Sequence, residues 1–195
     1  MKKFPLAFGT GVLGLTLVLT GCADASPPAT EATSSEAVAS TANEADEMFV
    51  MMMIPHHEQA IEMSEIVLAK DGLDPQISEL AQRIKDAQGP EIEQMMEWLE
   101  AWGVEYDPDG MSGMDHGSMD GMMSDDDMAA LEDADASSAS RLFLEQMVMH
   151  HEGAVDMAKV ELDQGQNQEV LDLAQQVIDD QTAEISEMKD LLNEL

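Results

Sequence analysis

The chain has 195 residues, with 41 carboxylates against 8 lysines and arginines and a formal net charge of −33. Such an acidic excess excludes nucleic acid and anionic membrane surfaces as partners, since both repel it, while cations of any kind are concentrated near its surface. A solvated acidic face that keeps a bundle soluble explains the charge equally well, so charge alone chooses no metal.

Residues 1–21 read as a lipoprotein signal peptide. Lys2 and Lys3 supply the positive start, and Leu6 to Leu19 is apolar but too short and Gly-interrupted for a comfortable membrane span. The stretch ends in Leu19-Thr20-Gly21-Cys22, which resembles the bacterial lipobox; the alternative is an ordinary signal peptide cleaved after Ala23 or Ala25. Lipidation at Cys22 anchors the chain to a membrane face without spanning it. It also consumes the only cysteine, leaving no disulfide, zinc–thiolate site or cysteine nucleophile. Residues 22–43, rich in Ala, Ser, Thr, Glu and Pro, cannot bury a core and predict a flexible tether.

Residues 44–195 suit one all-α domain. Asn43 is placed to cap a first helix running to about Lys70, where Asp71-Gly72 stops it; Pro55 predicts a kink inside it. Asp74-Pro75 starts a second helix, with Ile77, Leu80, Ala81, Ile84, Ala87, Ile92, Met95 and Leu99 along it, ending near Trp102-Gly103 and bent by Gly89-Pro90. Trp98 and Trp102 cover the bundle end. Residues 103–136 are rich in Gly, Asp, Ser and Met without an apolar period, apart from a short helical turn at Met128 to Leu131. A third helix is predicted from about Ser138 to Leu162 and a fourth from about Asn167 to Leu192.

The chain is internally duplicated. Met53-Ile54-Pro55-His56-His57-Glu58-Gln59-Ala60-Ile61-Glu62-Met63 is repeated, at an offset of 94, as Met147-Val148-Met149-His150-His151-Glu152-Gly153-Ala154-Val155-Asp156-Met157. Downstream, Gln88, Glu91, Ile92, Met95 and Leu99 match Gln181, Glu184, Ile185, Met188 and Leu192 at an offset of 93. Repeat 1 (44–102) and repeat 2 (137–195) are therefore two helical hairpins. Burying their apolar faces together gives a four-helix bundle.

On a helix, Met53, His56, His57 and Met63 share an arc of roughly 120°, as do Met147, His150, His151 and Met157. A methionine stripe alone is ordinary core. Paired histidines within it are harder to explain by packing, because a buried imidazole costs free energy unless paired or metal-bound. Thioether sulfur with imidazole nitrogen selects Cu(I) and its congener Ag(I) over harder ions, so copper, as Cu(I), is the expected ligand. Met95 and Met188 join the candidate set by recurring at matching positions. A di-iron bundle needs Glu-x-x-His pairs, but the positions three before the histidines hold Met53, Ile54, Met147 and Val148. A zincin needs His-Glu-x-x-His, and Ile61 and Val155 replace its second histidine. A non-catalytic metal carrier is thus expected over a ferritin-like oxidase or reductase, or over an envelope bundle that binds nothing. Glu58 and Glu152 are the predicted carboxylate partners of the imidazoles, whereas Glu91 and Glu184 read as helix surface. In the linker, Met114, His116 and Met119 sit where helical packing cannot account for them, and they suggest an outer site that captures copper and passes it inward.

These motifs, Met-x-x-His-His-x-x-Ala-Ile/Val-x-Met followed by Gln-x-x-Glu-Ile-x-x-Met, resemble the domain of unknown function 305 family, which includes CopM-like periplasmic copper-binding proteins. The likeness covers about residues 46–195. It implies a ferritin-like four-helix bundle in the periplasm or on the outer cell surface, with Cu(I) held by Met and His in copper tolerance. It transfers onto Met53, His56, His57, Met63, Met95, Met147, His150, His151, Met157 and Met188. The expected partners are copper ions, a membrane through the N-terminal lipid only, and a protein that delivers or receives copper.

Overall fold

Side-chain caps define where the long helices begin. Asn43 Oδ1 accepts from the backbone N–H groups of Ala45 and Asp46, and Asp46 returns a bond to the Asn43 N–H, closing a capping box at the start of α1 (Glu44–Leu68). Asp74 caps α2 (Pro75–Trp102), which ends at Gly103 in the left-handed region, φ 73°. Asp135 caps α4 (Ala136–Gln164) and Asn167 caps α5 (Gln168–Glu194). A shorter helix, α3 (Asp125–Asp133), lies between the two hairpins. This computed structural model describes residues 42–107 and 121–195, and among them there are five helices and no strand. Cys22, the signal peptide and tether up to residue 41, and the linker donors Met114, His116 and Met119 lie outside the described residues. None of the described helices is long and apolar enough to cross a membrane.

The two hairpins, α1–α2 and α4–α5, join mainly through α1 against α4. Helix α1 continues through Pro55 and α2 through Gly89-Pro90, so neither proline ends its helix. The core divides into two apolar clusters. One contains Met63, Ile77, Leu80, Ile84, Phe143, Met147 and Met188; the other contains Phe49, Met53, Met95, Leu99, Leu173 and Val177. Between them along every long helix comes a polar layer of His56, His57, Gln88, His150, His151 and Gln181, all buried. Trp98 and Trp102 stack at 6.3 Å beside the second cluster.

Helix α3 is longer than the turn predicted at 128–131. It starts with a second capping box, between Ser124 and Asp127, and three aspartates in its first turn complement the helix dipole. Tertiary contacts complete it: Leu131 is fully buried, Lys70 donates to the Glu132 carbonyl, and Gln146 Nε2 donates to the Asp127 carbonyl at 3.1 Å. The chain entering α3 is tied to α1 twice, since Gln59 both donates to the Met123 carbonyl (2.9 Å) and accepts from its N–H (2.8 Å). Gly121, at φ 94°, lies so close to α4 that a Cβ there would stand 2.7 Å from the Met149 carbonyl oxygen. Gly121→Ala is therefore expected to cost on the order of 1–3 kcal/mol and to unseat α3, read as a lower denaturation midpoint and faster amide exchange over residues 123–133.

The start of α1 is stapled to the α4–α5 turn. Asp46 Oδ1 accepts from the Gln166 N–H (3.0 Å) and the Asn167 N–H (2.9 Å). Burial would raise the Asp46 pKa, but the N–H groups of Asn43, Asn167 and Gln166 outweigh it and hold the carboxyl below its usual range. Glu161 lies alongside, and burial, then the Asp46 carboxylate, pushes it up to about 8 from 4.5. Folded protein then binds more protons than unfolded protein between those values, so this group's contribution to stability falls as pH rises from about 4.5 to about 8. Glu161→Gln should flatten that slope and leave the variant more stable at pH 8 by a few kcal/mol, at about 1.4 kcal/mol per unit. Thermal unfolding at pH 5 and pH 8 would check it; parallel profiles for the two proteins would count against it.

Candidate metal centre

Apolar spacing on α1 and α4 turns both histidine pairs inward, and the antiparallel crossing of these helices brings the pairs into one layer. Met53, His56, His57, Ala60 and Met63 are buried along α1, and Met147, His150, His151 and Ala154 along α4. The His56 and His150 rings, from different halves, lie with centroids 3.8 Å apart and planes tilted by 42°. That separation leaves no space between the ring faces, so a cation reaches this pair from the ring edges. Burial first, then the neighbouring imidazoles of His56, His151 and His57, drives the His150 pKa well below 6.5, with the His56 backbone pulling weakly the other way. His150 is thus neutral at physiological pH, the state in which imidazole binds metal.

The second histidine of each pair has a fixed orientation. His57 Nε2 lies 2.8 Å from Glu91 Oε2, and His151 Nε2 lies 2.6 Å from Glu184 Oε2. An ionised carboxylate can only accept, so Nε2 carries the hydrogen in both rings. Their Nδ1 atoms are buried and have no hydrogen-bond partner among the described residues. This is the arrangement of a ligating histidine backed by a carboxylate, which fixes the tautomer and raises the basicity of the other nitrogen. Gln176 Nε2 donates to Glu91 Oε1 at 2.9 Å, linking α5 to the α2 carboxylate.

These carboxylates correct the sequence reading. Glu58 and Glu152, the predicted partners, are exposed, and Glu152 instead accepts from Lys189 at 2.9 Å. Each sits one residue beyond its histidine and so about 100° around the helix. Glu91 and Glu184, read as surface, are only 12% and 19% exposed at the side chain. The missed signal was their spacing: Ile84, Gln88, Glu91 and Met95 form one helical stripe, recurring as Val177, Gln181, Glu184 and Met188. Asp180 adds to the negative seam between α2 and α5; burial, then Glu91, Glu184 and Asp179, raises its pKa.

The candidate thioethers fall on both sides of the imidazole layer. Met53 and Met95, with Met157 packed against them, belong to one apolar cluster, whereas Met63, Met147 and Met188 belong to the other. The repeat exchanges these two sets, Met53 for Met147, Met95 for Met188 and Met157 for Met63. Each set thus combines two sulfurs from one half of the chain with one from the other. Among the described residues no group of three or more His, Asp or Glu side chains is arranged to hold a metal ion. Imidazole nitrogen flanked by thioether sulfur is the donor set that suits a soft monovalent cation.

A model of the family described as "Domain of unknown function (DUF305)" matches residues 46–192. The chain belongs to the DUF305 family. A DUF305 protein from Streptomyces coelicolor is 34% identical, with a TM-score of 0.70 over 77% of this chain and 93% of its own. A DUF305 fragment from Deinococcus radiodurans is 31% identical, with a TM-score of 0.68 over 79% and 99%. CopM in its Cu(I)-bound form is 33% identical, with a TM-score of 0.63 over 76% and 96%, and CopM is also similar in Cu(II)-bound and Ag-bound forms. No curated protein matches the chain. The motif resemblance is thus borne out at the level of the family, and the all-α fold with it.

Proposed function

We propose that this DUF305 protein binds copper, held as Cu(I), in the imidazole layer at the centre of its helices, and that it sequesters or shuttles the ion without transforming it. The observation that carries the reading is the pair of carboxylate-backed histidines, His57 and His151, whose buried Nδ1 atoms lack hydrogen-bond partners among the described residues. Bare Nδ1 atoms in an apolar interior are costly unless something compensates them, and a metal ion on His57 and His151 supplies that compensation. Sulfur on both sides of the layer favours Cu(I), and Ag(I) in the same place, over harder ions. Similarity to CopM, which has been solved with copper and with silver, supports the choice. A non-catalytic role follows from Met53, Ile54, Met147 and Val148, which stand where a di-iron oxidase carries glutamates.

The setting is extracytoplasmic, with Cys22 lipidated and residues 22–43 as the tether. Similarity to a DUF305 protein described as secreted supports that setting. Methionine and histidine keep their ligand atoms in an oxidising compartment better than thiolates do, which suits a soft-metal site there. Titration of the full chain with Cu(I) against a coloured chelator is the test: one or more ions per chain should be withdrawn from the chelator. A chelator spectrum unchanged by excess protein would overturn the reading. Oxygen consumption with Cu(I) or Fe(II) separates the oxidase alternative, and no turnover is expected.

A further inference from the structure

The four imidazoles are 0–1% exposed, so an ion bound there needs an entrance. The duplication locates one. Because α1 maps onto α4, the seam between these helices has two equivalent halves. Helix α3 covers one half, above Ile66 of α1, Lys70 in the turn just past its end, and Leu142 and Gln146 of α4. No described helix covers the other half. Its matching positions are Val160 and Gln164 of α4 and Met48 and Met52 of α1, and they line an open groove of about 200 Å³ with Met157, Phe49 and Glu161. Met48 is 55% exposed and Val160 53%.

At two matched seam positions sulfur distinguishes the halves. Where the covered half has Leu142 and Gln146, the open half has Met48 and Met52, which are i,i+4 neighbours on one helical face. Met157 faces them from α4, and it also packs against the apolar cluster that holds Met53 and Met95. We infer that Met48, Met52 and Met157 form a surface capture site for a soft monovalent cation, Cu(I) or Ag(I), that loads the buried imidazole layer through Met157 and Met53. Three neutral thioethers hold such an ion weakly enough to release it, and each transfer exchanges one thioether for the next with no redox change. The route rests on the proposed copper reading; the capture site itself does not require it.

The probe is Ag(I), redox-inert and equally soft, titrated into full-length protein carrying 13C-methyl methionine and 15N-histidine. The Met48, Met52 and Met157 methyl signals should move together at low silver, before the His57 and His151 ring nitrogens respond. In M48L/M52L, a substitution that preserves volume and is tolerated by packing, Met157 should no longer respond early. Loading of the histidines should then slow by about tenfold with unchanged final occupancy, because a lost encounter site acts on the association rate. Groove methyls that never move with silver, or histidines that load at the wild-type rate in M48L/M52L, would overturn the capture site, as would an apolar helical peptide filling the groove while silver leaves it untouched. Groove methyls that respond while the histidine rings stay silent would support the capture site and overturn the buried one.

Discussion

Replacing His56 and His150 together by leucine should yield a better-folded protein that no longer holds Cu(I) tightly. The two rings lie in contact at a centroid separation of 3.8 Å in a layer closed to water. Burial holds the His150 ring neutral there, and a neutral imidazole still carries polar nitrogens into the layer. Leucine has comparable volume and no polar atom, so it fills the space between the apolar clusters. Relief of buried polarity at His150 is worth about 1–3 kcal/mol, and the apo variant should show a raised denaturant midpoint with an unchanged slope. Affinity should move the other way, by roughly a thousandfold, or about 4 kcal/mol. Opposite signs for stability and binding mark a site retained for its ligand. Lower apo stability with unchanged Cu(I) affinity would instead make the pair a structural contact.

The carboxylates behind the other two histidines should tune the site. Glu91→Ala with Glu184→Ala removes the acceptors that fix the Nε2–H tautomer of His57 and His151. The rings can then rotate or place the proton on Nδ1, so each substitution is expected to lower Cu(I) affinity by about 10–100-fold. Glu91→Gln with Glu184→Gln keeps an acceptor oxygen and should recover much of the loss. Histidine 15N shifts in the apo protein supply the reading that a merely structural role would not move. Wild type should show Nε2–H and bare Nδ1 at both positions, and the alanine variant a mixture of tautomers. Equal affinities for all three proteins would remove Glu91 and Glu184 from the site.

The helical framework was legible because it rests on local rules. Asn43, Asp74 and Asn167 announce helix starts through side-chain oxygens one residue ahead of an apolar stripe. The duplication, visible as two matched segments, predicted the pairing of hairpins. Helix α3 was foreseen only as a turn because its local signals, a capping box and an acidic first turn, mark where a helix starts and not how far its nine residues persist. Its length depends on Leu131 entering the core and on Gln59, Lys70 and Gln146, which are remote in sequence. The inward faces of α1 and α4 were readable from spacing, and His56, His57, His150 and His151 do meet in one layer. Glu91 and Glu184 were misread because an acid on an amphipathic helix is ordinarily solvated, whereas these two sit at the edge of the core where an imidazole from the neighbouring helix reaches them. The split of the methionines into two exchanged sets was beyond the sequence, since it depends on the antiparallel crossing of α1 and α4.

X-ray absorption at the copper edge, on full-length protein isolated from its own cells, tests the central claim most directly. A mixed first shell of imidazole nitrogen and thioether sulfur around Cu(I), with the nitrogen lost in the His56 and His150 variant, is the predicted result. A shell of oxygen and nitrogen without sulfur, a shell of sulfur alone, or no copper at all would contradict a copper site in the imidazole layer.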